Sequence, residues 1–294
     1  MTSLLSAVLT ADGRTMDSFT SWVGGKKALR EQIVARFPLQ YEKYIEVFGG
    51  AGWVLFYKNP GSEMEIFNDY NANLVNLYRC VRGNPNKLKY KIRYMLNSYA
   101  DYTWLKSLYK KGLFRRFHDY DRAAKFYCMI QYSYGHALRG FGAKPQPMWA
   151  KYPLIDAAAA RLQKVVIENR DFERLIEIYD RPVSFFYCDP PYYAAEDFYK
   201  EVDFKKKDHI RLHDTLMRSQ GKFLISYNDC PEIRQLWAHS NIYIEPISRM
   251  NNLALRYEKG SEYKELFRSN YDTAERARAE AALYEQLPLW NIDE

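Results

Sequence analysis

The sequence predicts an α/β protein in which helices cover both faces of a mainly parallel sheet, with a helical block inserted along the chain. Short apolar segments alternate with helical segments in the first and last parts of the 294-residue chain. Strands that alternate with helices are typical of a parallel sheet, because the chain must cross over between neighbouring parallel strands. The middle of the chain lacks this alternation and has long helical periodicity instead.

Four strands and two helices are predicted for the sheet region. The strands are "KYIEVFGG", "MEIFND", "VSFFYCD" and "GKFLISYND". One helix is predicted between Asn71 and Arg82, and another near "KKDHIRLHDTLMRSQ". We see no internal repeats, so this alternation predicts a single sheet rather than a repeat array.

The same patterns predict three units. We expect residues 1–82 and 156–270 to form one domain that contains the sheet, residues 83–155 to form an inserted domain, and residues 271–294 to form a helical tail. Inside the insert, the segment 139–153 has three prolines and two glycines, which predicts irregular structure there.

The composition argues against a membrane-spanning, a secreted and a zinc-stabilised protein. Hydrophobic residues make up 47% and charged residues 27% of the chain, as is usual for a globular protein. No apolar run approaches the roughly 20 residues that a membrane span needs, and the N-terminal residues lack the apolar stretch of a signal peptide. The four cysteines form no CxxC pair, which argues against structural zinc and favours a reducing, cytoplasmic location.

Positive charge is concentrated in the middle of the chain. The net charge is +7, but residues 81–155 alone hold 15 Lys and Arg against 3 Asp and Glu, together with 16 aromatic residues. Basic side chains neutralise phosphates, and aromatic rings stack on unpaired bases. This composition favours a nucleic-acid partner, although a solvated helical region with its own small core would give the same pattern.

A glycine-rich loop follows the first predicted strand. Gly49, Gly50 and Gly52 allow the backbone to turn sharply and approach a ligand closely. The second predicted strand ends in Asp69, about 20 residues further on, which is the spacing at which an acid binds the ribose of a nucleoside. These residues therefore predict a nucleoside-binding site, unless the glycines and Asp69 only end their strands.

Two common nucleotide ligands fit poorly. No Gly-Lys-Ser/Thr follows the loop, so it is not a phosphate-binding P-loop, and Leu55 stands where a dinucleotide fingerprint has its third glycine. A nucleoside without a pyrophosphate fits better. S-adenosylmethionine is such a ligand.

The third predicted strand ends in "DPPY", residues 189–192. Each proline removes an N–H donor, so the strand must stop in a rigid turn at the edge where open α/β sheets bind ligands. The carbonyls and the Asp189 carboxylate offer acceptors only, which suits a planar substrate with an exocyclic amine. The ring of Tyr192 can stack on that substrate while the amine is held.

With these motifs in place, the chain resembles the Dam-type (D12 class) family of DNA adenine-N6 methyltransferases, in which the cofactor motif precedes the recognition region and the catalytic motif. The resemblance covers about residues 20–270. It is carried by "WVGGK", "EVFGGAG", "FNDYN", "YCDPPY" and "ISYND", in the family's order. It implies a Rossmann-like methyltransferase fold with an inserted, mainly helical target-recognition domain.

The resemblance also implies roles for individual residues. Trp22 and Lys26 contact S-adenosylmethionine, the loop around Phe48 and Gly50 surrounds its methionine part, and Asp69 holds its ribose.

Catalysis is assigned to Asp189, Pro190 and Tyr192. Asp189 lies between the cofactor and the target amine, and it orients the amine rather than acting as a strong base. We expect in-line methyl transfer to a flipped adenine, with neither a metal nor a covalent intermediate.

Double-stranded DNA is the implied partner. Arg139 is the candidate for reading a guanine edge, Tyr134 for filling the gap left by the flipped base, and Lys144 for a further DNA contact. Gly135, His136 and Ala137 depart from the family's usual loop, so the family's usual target site does not carry over.

Several alternatives stay open at this point. The substrate amine could belong to cytosine N4, to adenine in RNA or to a glutamine side chain, and an inactive DNA-binding relative would keep the same residues. The C-terminal segment Gln286–Trp290 resembles peptides that dock on the bacterial sliding clamp, unless it packs on its own domain. A bacterial or phage origin, alone or beside a restriction enzyme, fits the family.

Overall fold

The structure, a computed structural model, describes residues 16–22, 24–193, 204–250 and 262–286. In this part of the chain, seven strands form one sheet: β1 Lys43–Glu46, β2 Met64–Asn68, β3 Val165–Glu168, β4 Ser184–Cys188, β5 Lys222–Asn228, β6 Tyr243–Met250 and β7 Glu262–Ser269. Their order across the sheet is β3-β2-β1-β4-β5-β7-β6.

The first five strands are parallel, and only β7 runs against its neighbours β5 and β6. Parallel strands need long crossover connections, and the helices in these connections cover the faces of the sheet. The predicted α/β fold with a mainly parallel, Rossmann-like sheet is therefore confirmed.

Eleven α-helices are described: α1 Arg30–Ala35, α2 Trp53–Tyr57, α3 Ala72–Gly83, α4 Pro85–Arg93, α5 Tyr99–Lys110, α6 Asp119–Tyr132, α7 Tyr152–Arg161, α8 Phe172–Tyr179, α9 Lys206–Arg218, α10 Pro231–Leu236 and α11 Glu275–Gln286. Both helices predicted beside the strands are confirmed, as α3 and α9. None of the helices within the described ranges is long and apolar enough to cross a membrane.

Two hydrophobic clusters lie on opposite faces of the sheet. Successive residues of a strand point to opposite faces, so Tyr44 joins one cluster and Ile45 the other. Phe185 and Phe186 of β4 divide in the same way. The helices α3, α4, α6 and α7 contribute to the first cluster, and α8, α9 and α10 to the second.

The predicted division into domains stays a prediction. The first cluster continues from the sheet into the insert without a break, and the hydroxyl of Tyr127 in α6 donates to the carbonyl of Phe19 at 3.0 Å. The helix α7 also crosses the predicted boundary between residues 155 and 156.

Some predictions about local structure were incomplete. Residues 139–153 are not irregular throughout, because a short 3-10 helix at Met148–Lys151 leads directly into α7. Pro153 lies in the first turn of α7, where the missing N–H is not needed. The strands β3, β6 and β7 were not predicted at all.

The helix α11 follows Thr273, within the segment predicted to form a helical tail. The guanidinium of Arg276 donates to the carbonyls of Phe37 and Pro38, which attaches this helix to the main domain. Beyond Gln286, the segment predicted to dock on the sliding clamp lies outside the described residues.

Candidate active site

A pocket opens where the carboxyl ends of β1, β2 and β4 meet. All six residues predicted to bind the cofactor line it: Trp22, Lys26, Phe48, Gly50, Asp69 and Asp189. The three strands are neighbours and parallel, so the residues that follow them converge at one edge of the sheet. Lys26 and Asp189, which are 163 positions apart along the chain, therefore share one site.

The glycine loop forms the floor of this pocket. Gly50 and Gly52 have φ values of +52° and +65°, in the left-handed region that favours glycine. The N–H of Gly52 donates to the carbonyl of Gly49 at 2.7 Å, which closes the turn before α2. A side chain at Gly49 would overlap the ring of Phe67, so this position also needs glycine for close packing.

Asp69 is held by backbone N–H groups of the glycine loop and of the residue that precedes α3. It accepts the N–H of Gly50 at 2.9 Å and the N–H of Asn71 at 2.7 Å. Burial raises the pKa of Asp69 to about 6, and these two hydrogen bonds oppose the increase. Asn71 in turn caps α3 by accepting two backbone N–H groups, so the carboxylate sits on a rigid strand-to-helix junction.

Asp189 forms an ion pair with Lys26. The Lys26 Nζ donates to Asp189 Oδ1 at 2.6 Å, and the Ser226 hydroxyl donates to the same oxygen at 3.1 Å. Burial raises the pKa of Asp189, and the adjacent ammonium opposes that increase. The carboxylate side chain keeps 18% of its surface exposed, so a ligand in the pocket can reach it.

The turn after Asp189 is fixed by the neighbouring strands. Asn228 at the end of β5 accepts the N–H of Tyr193 and donates to its carbonyl, both at 3.1 Å. Tyr192 is 7% exposed, and its hydroxyl donates to Glu265 at 2.6 Å. The Lys26 ammonium lies 4.6 Å from the centre of the Tyr192 ring, in cation–π geometry.

Two acidic residues of this region were not found from the sequence. Glu46 lines the pocket at the end of β1, accepts the Tyr44 hydroxyl at 2.8 Å, and has its pKa raised to about 8 by burial. A carboxylate inside the apolar run "KYIEVF" was the available signal. Glu265 lies on β7, which had not been predicted, so no local pattern connected it to the site.

The three residues predicted to bind DNA lie outside this pocket, on the loop that follows α6. Tyr134 is 56% exposed, and Arg139 and Lys144 also reach the surface. The N–H of Tyr134 donates to the carbonyl of Gly140 at 2.7 Å, which closes the loop. The Asn97 side chain donates to the carbonyl of Lys144 at 2.7 Å, and Lys106 donates to the carbonyl of Arg139.

This loop has an unusual backbone. Three residues other than glycine, His136, Leu138 and Ala143, have φ values between +47° and +57°. Such conformations are costly for residues with a Cβ and persist where the surrounding contacts impose them. Ser133 supplies one of these contacts, because its hydroxyl accepts the N–H of Leu138 at 3.3 Å.

The family model described as D12 class N6 adenine-specific DNA methyltransferase matches residues 22–251. The chain belongs to this family. The resemblance seen in the sequence motifs is thereby confirmed, and so are the enzyme class and the adenine-N6 methylation of DNA that define the family.

This methyltransferase is similar to proteins from bacteria and viruses. It is 28% identical over 255 residues to a type II methyltransferase of Lactococcus lactis subsp. cremoris, a match that covers 79% of this chain and 88% of the relative. It is 23% identical over 231 residues to a type II methyltransferase of Paramecium bursaria Chlorella virus NC1A, covering 76% and 86%. A DNA N-6-adenine-methyltransferase of Escherichia phage P1 is 28% identical over 252 residues, but this match covers only 32% of that longer protein.

Membership of the family implies S-adenosylmethionine as the co-substrate and DNA as the substrate of this methyltransferase. The residues lining the pocket fit such a cofactor, because Asp69 offers a carboxylate at the end of β2 and the glycine loop allows close approach of the backbone.

We expect Gly49→Ala to destabilise the methyltransferase by about 1–3 kcal/mol, because the new methyl group would overlap the Phe67 ring. Urea unfolding measures the change. Gly140→Ala is the control, since a methyl group there meets no atom within 4 Å and should change stability by less than about 0.5 kcal/mol. Equal stability of the two variants would show that the loop does not depend on this packing.

Proposed function

We propose that this methyltransferase moves the methyl group of S-adenosylmethionine to N6 of an adenine flipped out of double-stranded DNA, with Asp189 orienting the amine. The observation that carries the proposal is the position of Asp189. Its carboxylate lies in the pocket wall, is fixed through Oδ1 by Lys26 and Ser226, and is followed by two prolines that offer no N–H donor.

The chemistry of the step follows from this arrangement. Oδ2 of Asp189 takes part in neither of those contacts, so it is available to accept one hydrogen of the adenine amine. The carbonyl of Pro190 is a candidate acceptor for the other hydrogen. Holding both hydrogens turns the nitrogen lone pair away from the ring and towards the methyl group, which supplies orientation in the transition state.

The proposed methyl transfer needs no reactant other than S-adenosylmethionine and the adenine. The nitrogen lone pair forms the new N–C bond, and the C–S bond breaks with its electron pair remaining on sulfur. The positive charge moves from sulfur to N6, and N6 then releases a proton to solvent. Asp189 orients the amine and stabilises the positive charge as it develops beside it.

The cofactor occupies the pocket at the strand ends in this proposal. Asp69 binds the ribose hydroxyls, the backbone around Gly50 approaches the methionine part, and Trp22 and Lys26 close the pocket opposite. A second depression shares Phe48 and Tyr70 with the first, and Phe172 lies on its far side. Its aromatic walls suit the adenine ring of the cofactor.

DNA lies across the insert. The excess of basic residues there complements the phosphates, and the exposed loop presents Tyr134, Arg139 and Lys144 together. Tyr134 fills the space left by the flipped base and Arg139 contacts a base edge, while the ring of Tyr192 stacks on the adenine at the catalytic turn.

Asp189→Ala should abolish methyl transfer and leave DNA binding largely unchanged, because the residue orients the amine and contacts no phosphate. The measurement uses labelled S-adenosylmethionine and unmethylated duplex DNA, followed by digestion to nucleosides and mapping of N6-methyladenine. Asp214→Ala, on the exposed face of α9, is the control and should keep its activity. If the wild type produced N4-methylcytosine, or labelled RNA in place of DNA, the proposed substrate would be wrong.

Binding of S-adenosylmethionine should weaken as the pH falls below about 6, the pKa of Asp69. The ionised carboxylate of Asp69 accepts the ribose hydroxyls, so binding favours the charged form of this residue. Below its pKa, Asp69 must release a proton before the cofactor binds. The limiting slope is about tenfold in affinity for each pH unit. Calorimetry between pH 5 and 8 measures it. In Asp69→Asn the affinity for S-adenosylmethionine should be lower over this whole pH range. If the affinity of this variant still changed with pH at the same slope, the titrating group would be another residue.

Arg139→Ala should weaken binding to the target DNA by about 1–3 kcal/mol and relax its sequence preference, because a guanidinium–guanine contact is specific. Lys144→Ala should instead weaken binding to all sequences equally and lower the salt dependence by about one ion. Lys164→Ala, an exposed change outside the insert, is the control and should do neither. Fluorescence anisotropy measures the DNA affinity of the three variants at several salt concentrations and distinguishes these effects. A loss shared equally among sequences in Arg139→Ala would contradict its assigned role.

A further inference from the structure

A group of exposed apolar side chains on the insert has no role in the steps above. The chain from the end of α4 to the first residue of α5 carries Tyr94, Leu96 and Tyr99, whose exposed fractions are 62%, 69% and 68%. A single exposed apolar residue is ordinary, but several in close succession are typical of an interaction surface. We refer to residues 94–99 as the connecting segment.

The connecting segment is attached to the loop that follows α6, which presents the residues predicted to bind DNA. The Asn97 side chain donates to the carbonyl of Lys144 in this loop at 2.7 Å. The Tyr99 ring packs edge-on against Phe141 of the same loop, with 6.0 Å between the ring centres. The loop and the connecting segment therefore form one continuous surface, and a duplex that lies on the loop also meets the segment.

The charges around the connecting segment fit a polyanion. From residue 84 to residue 100 the chain has four cationic side chains and no acidic one, and Asp101 is the first acid that follows. Two of the four cations are paired with acids of α6 and α7, whereas Arg93 is exposed and lies 6.0 Å from the centre of the Tyr94 ring. Cations contact phosphates and apolar rings contact sugars and bases, so this combination suits nucleic acid. DNA is the substrate of the family, and the duplex is therefore the partner that the surface fits.

We propose that the connecting segment is a second DNA-contacting surface, on which Leu96 and Tyr99 lie against the sugars and base edges of the duplex beside the target site. This inference rests on the proposed function, because it takes the loop that follows α6 to lie on DNA. Apolar contacts of this kind add affinity but neutralise no phosphate. Leu96 and Tyr99 therefore lengthen the stretch of duplex that the methyltransferase holds, without adding to the salt dependence of binding.

The test is Leu96→Ala in the full-length protein, because Tyr99 also supports the Phe141 ring and Leu96 does not. Fluorescence anisotropy compares a short duplex, which ends at the edges of the mapped target site, with a long duplex that extends about ten base pairs beyond it on both sides. We expect Leu96→Ala to bind the long duplex about fivefold more weakly, the effect of losing part of one apolar contact, and the short duplex less than about twofold more weakly. The loss on the long duplex should be the same at about 50 and 200 mM salt.

Leu96→Glu supplies a second readout. It places a negative charge against the phosphates, so it should weaken binding of the long duplex more than Leu96→Ala does, and this loss should become smaller as salt is added. Met64→Ala and Met64→Glu are the matched controls, since Met64 is 43% exposed at the start of β2, at the edge of the sheet opposite the pocket. They should leave the affinities for both duplexes unchanged.

The proposal would be overturned if Leu96→Ala bound the long duplex as tightly as the wild type does, if it weakened both duplexes equally, or if the Met64 variants produced the same losses. A change in the mass measured by light scattering for Leu96→Glu, with DNA binding unchanged, would instead identify an interface between two copies of the chain.

The wild type supplies a test that does not depend on the folding of a variant. If it binds the short and the long duplex equally tightly, the inference about the connecting segment is wrong while the proposed function stands. If it binds neither duplex, the proposed function itself fails and the inference fails with it. Tighter binding of the long duplex supports both.

Discussion

The pairing of Lys26 with Asp189 is the contact on which the geometry of the pocket depends. It joins a segment that precedes the first strand to the turn that follows β4, across 163 residues of sequence. Because the ammonium is buried and also touches the Tyr192 ring, it fixes the carboxylate, the aromatic ring and the pocket wall relative to one another. The proposed orientation of the target amine needs such rigidity before the substrate arrives.

The order of the strands explains why acidic groups gather around that contact. Placing β1 between β2 and β4 brings Glu46, Asp69 and Asp189 to one edge, and inserting β7 antiparallel beside β5 adds Glu265 from the opposite chain direction. Each carboxylate is supported by donors from neighbouring elements, as when Asp69 accepts two backbone N–H groups. The fold thereby brings several acidic groups together, and these donors offset part of the cost of burying them.

Much of this site was predictable from the sequence because its motifs are local. The glycines after β1, the acid after β2 and the "DPPY" turn after β4 each mark the end of a strand. The carboxyl ends of parallel strands lie at one edge of the sheet, so these motifs predict a shared site. The short edge strand β3 was missed although three of its four residues are β-branched and apolar, because periodicity cannot assign so short an apolar run to a strand or a helix. Pro153 suggested a loop, although proline is compatible with the first turn of α7.

By itself, the sequence determined the fold class and the family, and it indicated the residues of the turn after β4, since these depend on residue types and on spacing along one stretch of chain. Only the tertiary structure decided that Lys26 pairs with Asp189, that Glu46 is buried in the pocket wall, and that Glu265 lies beside Tyr192. These contacts depend on which strands are neighbours and in which direction they run. Periodicity along the chain carries no information about either, because the hydrogen bonds that fix strand order join segments far apart in sequence.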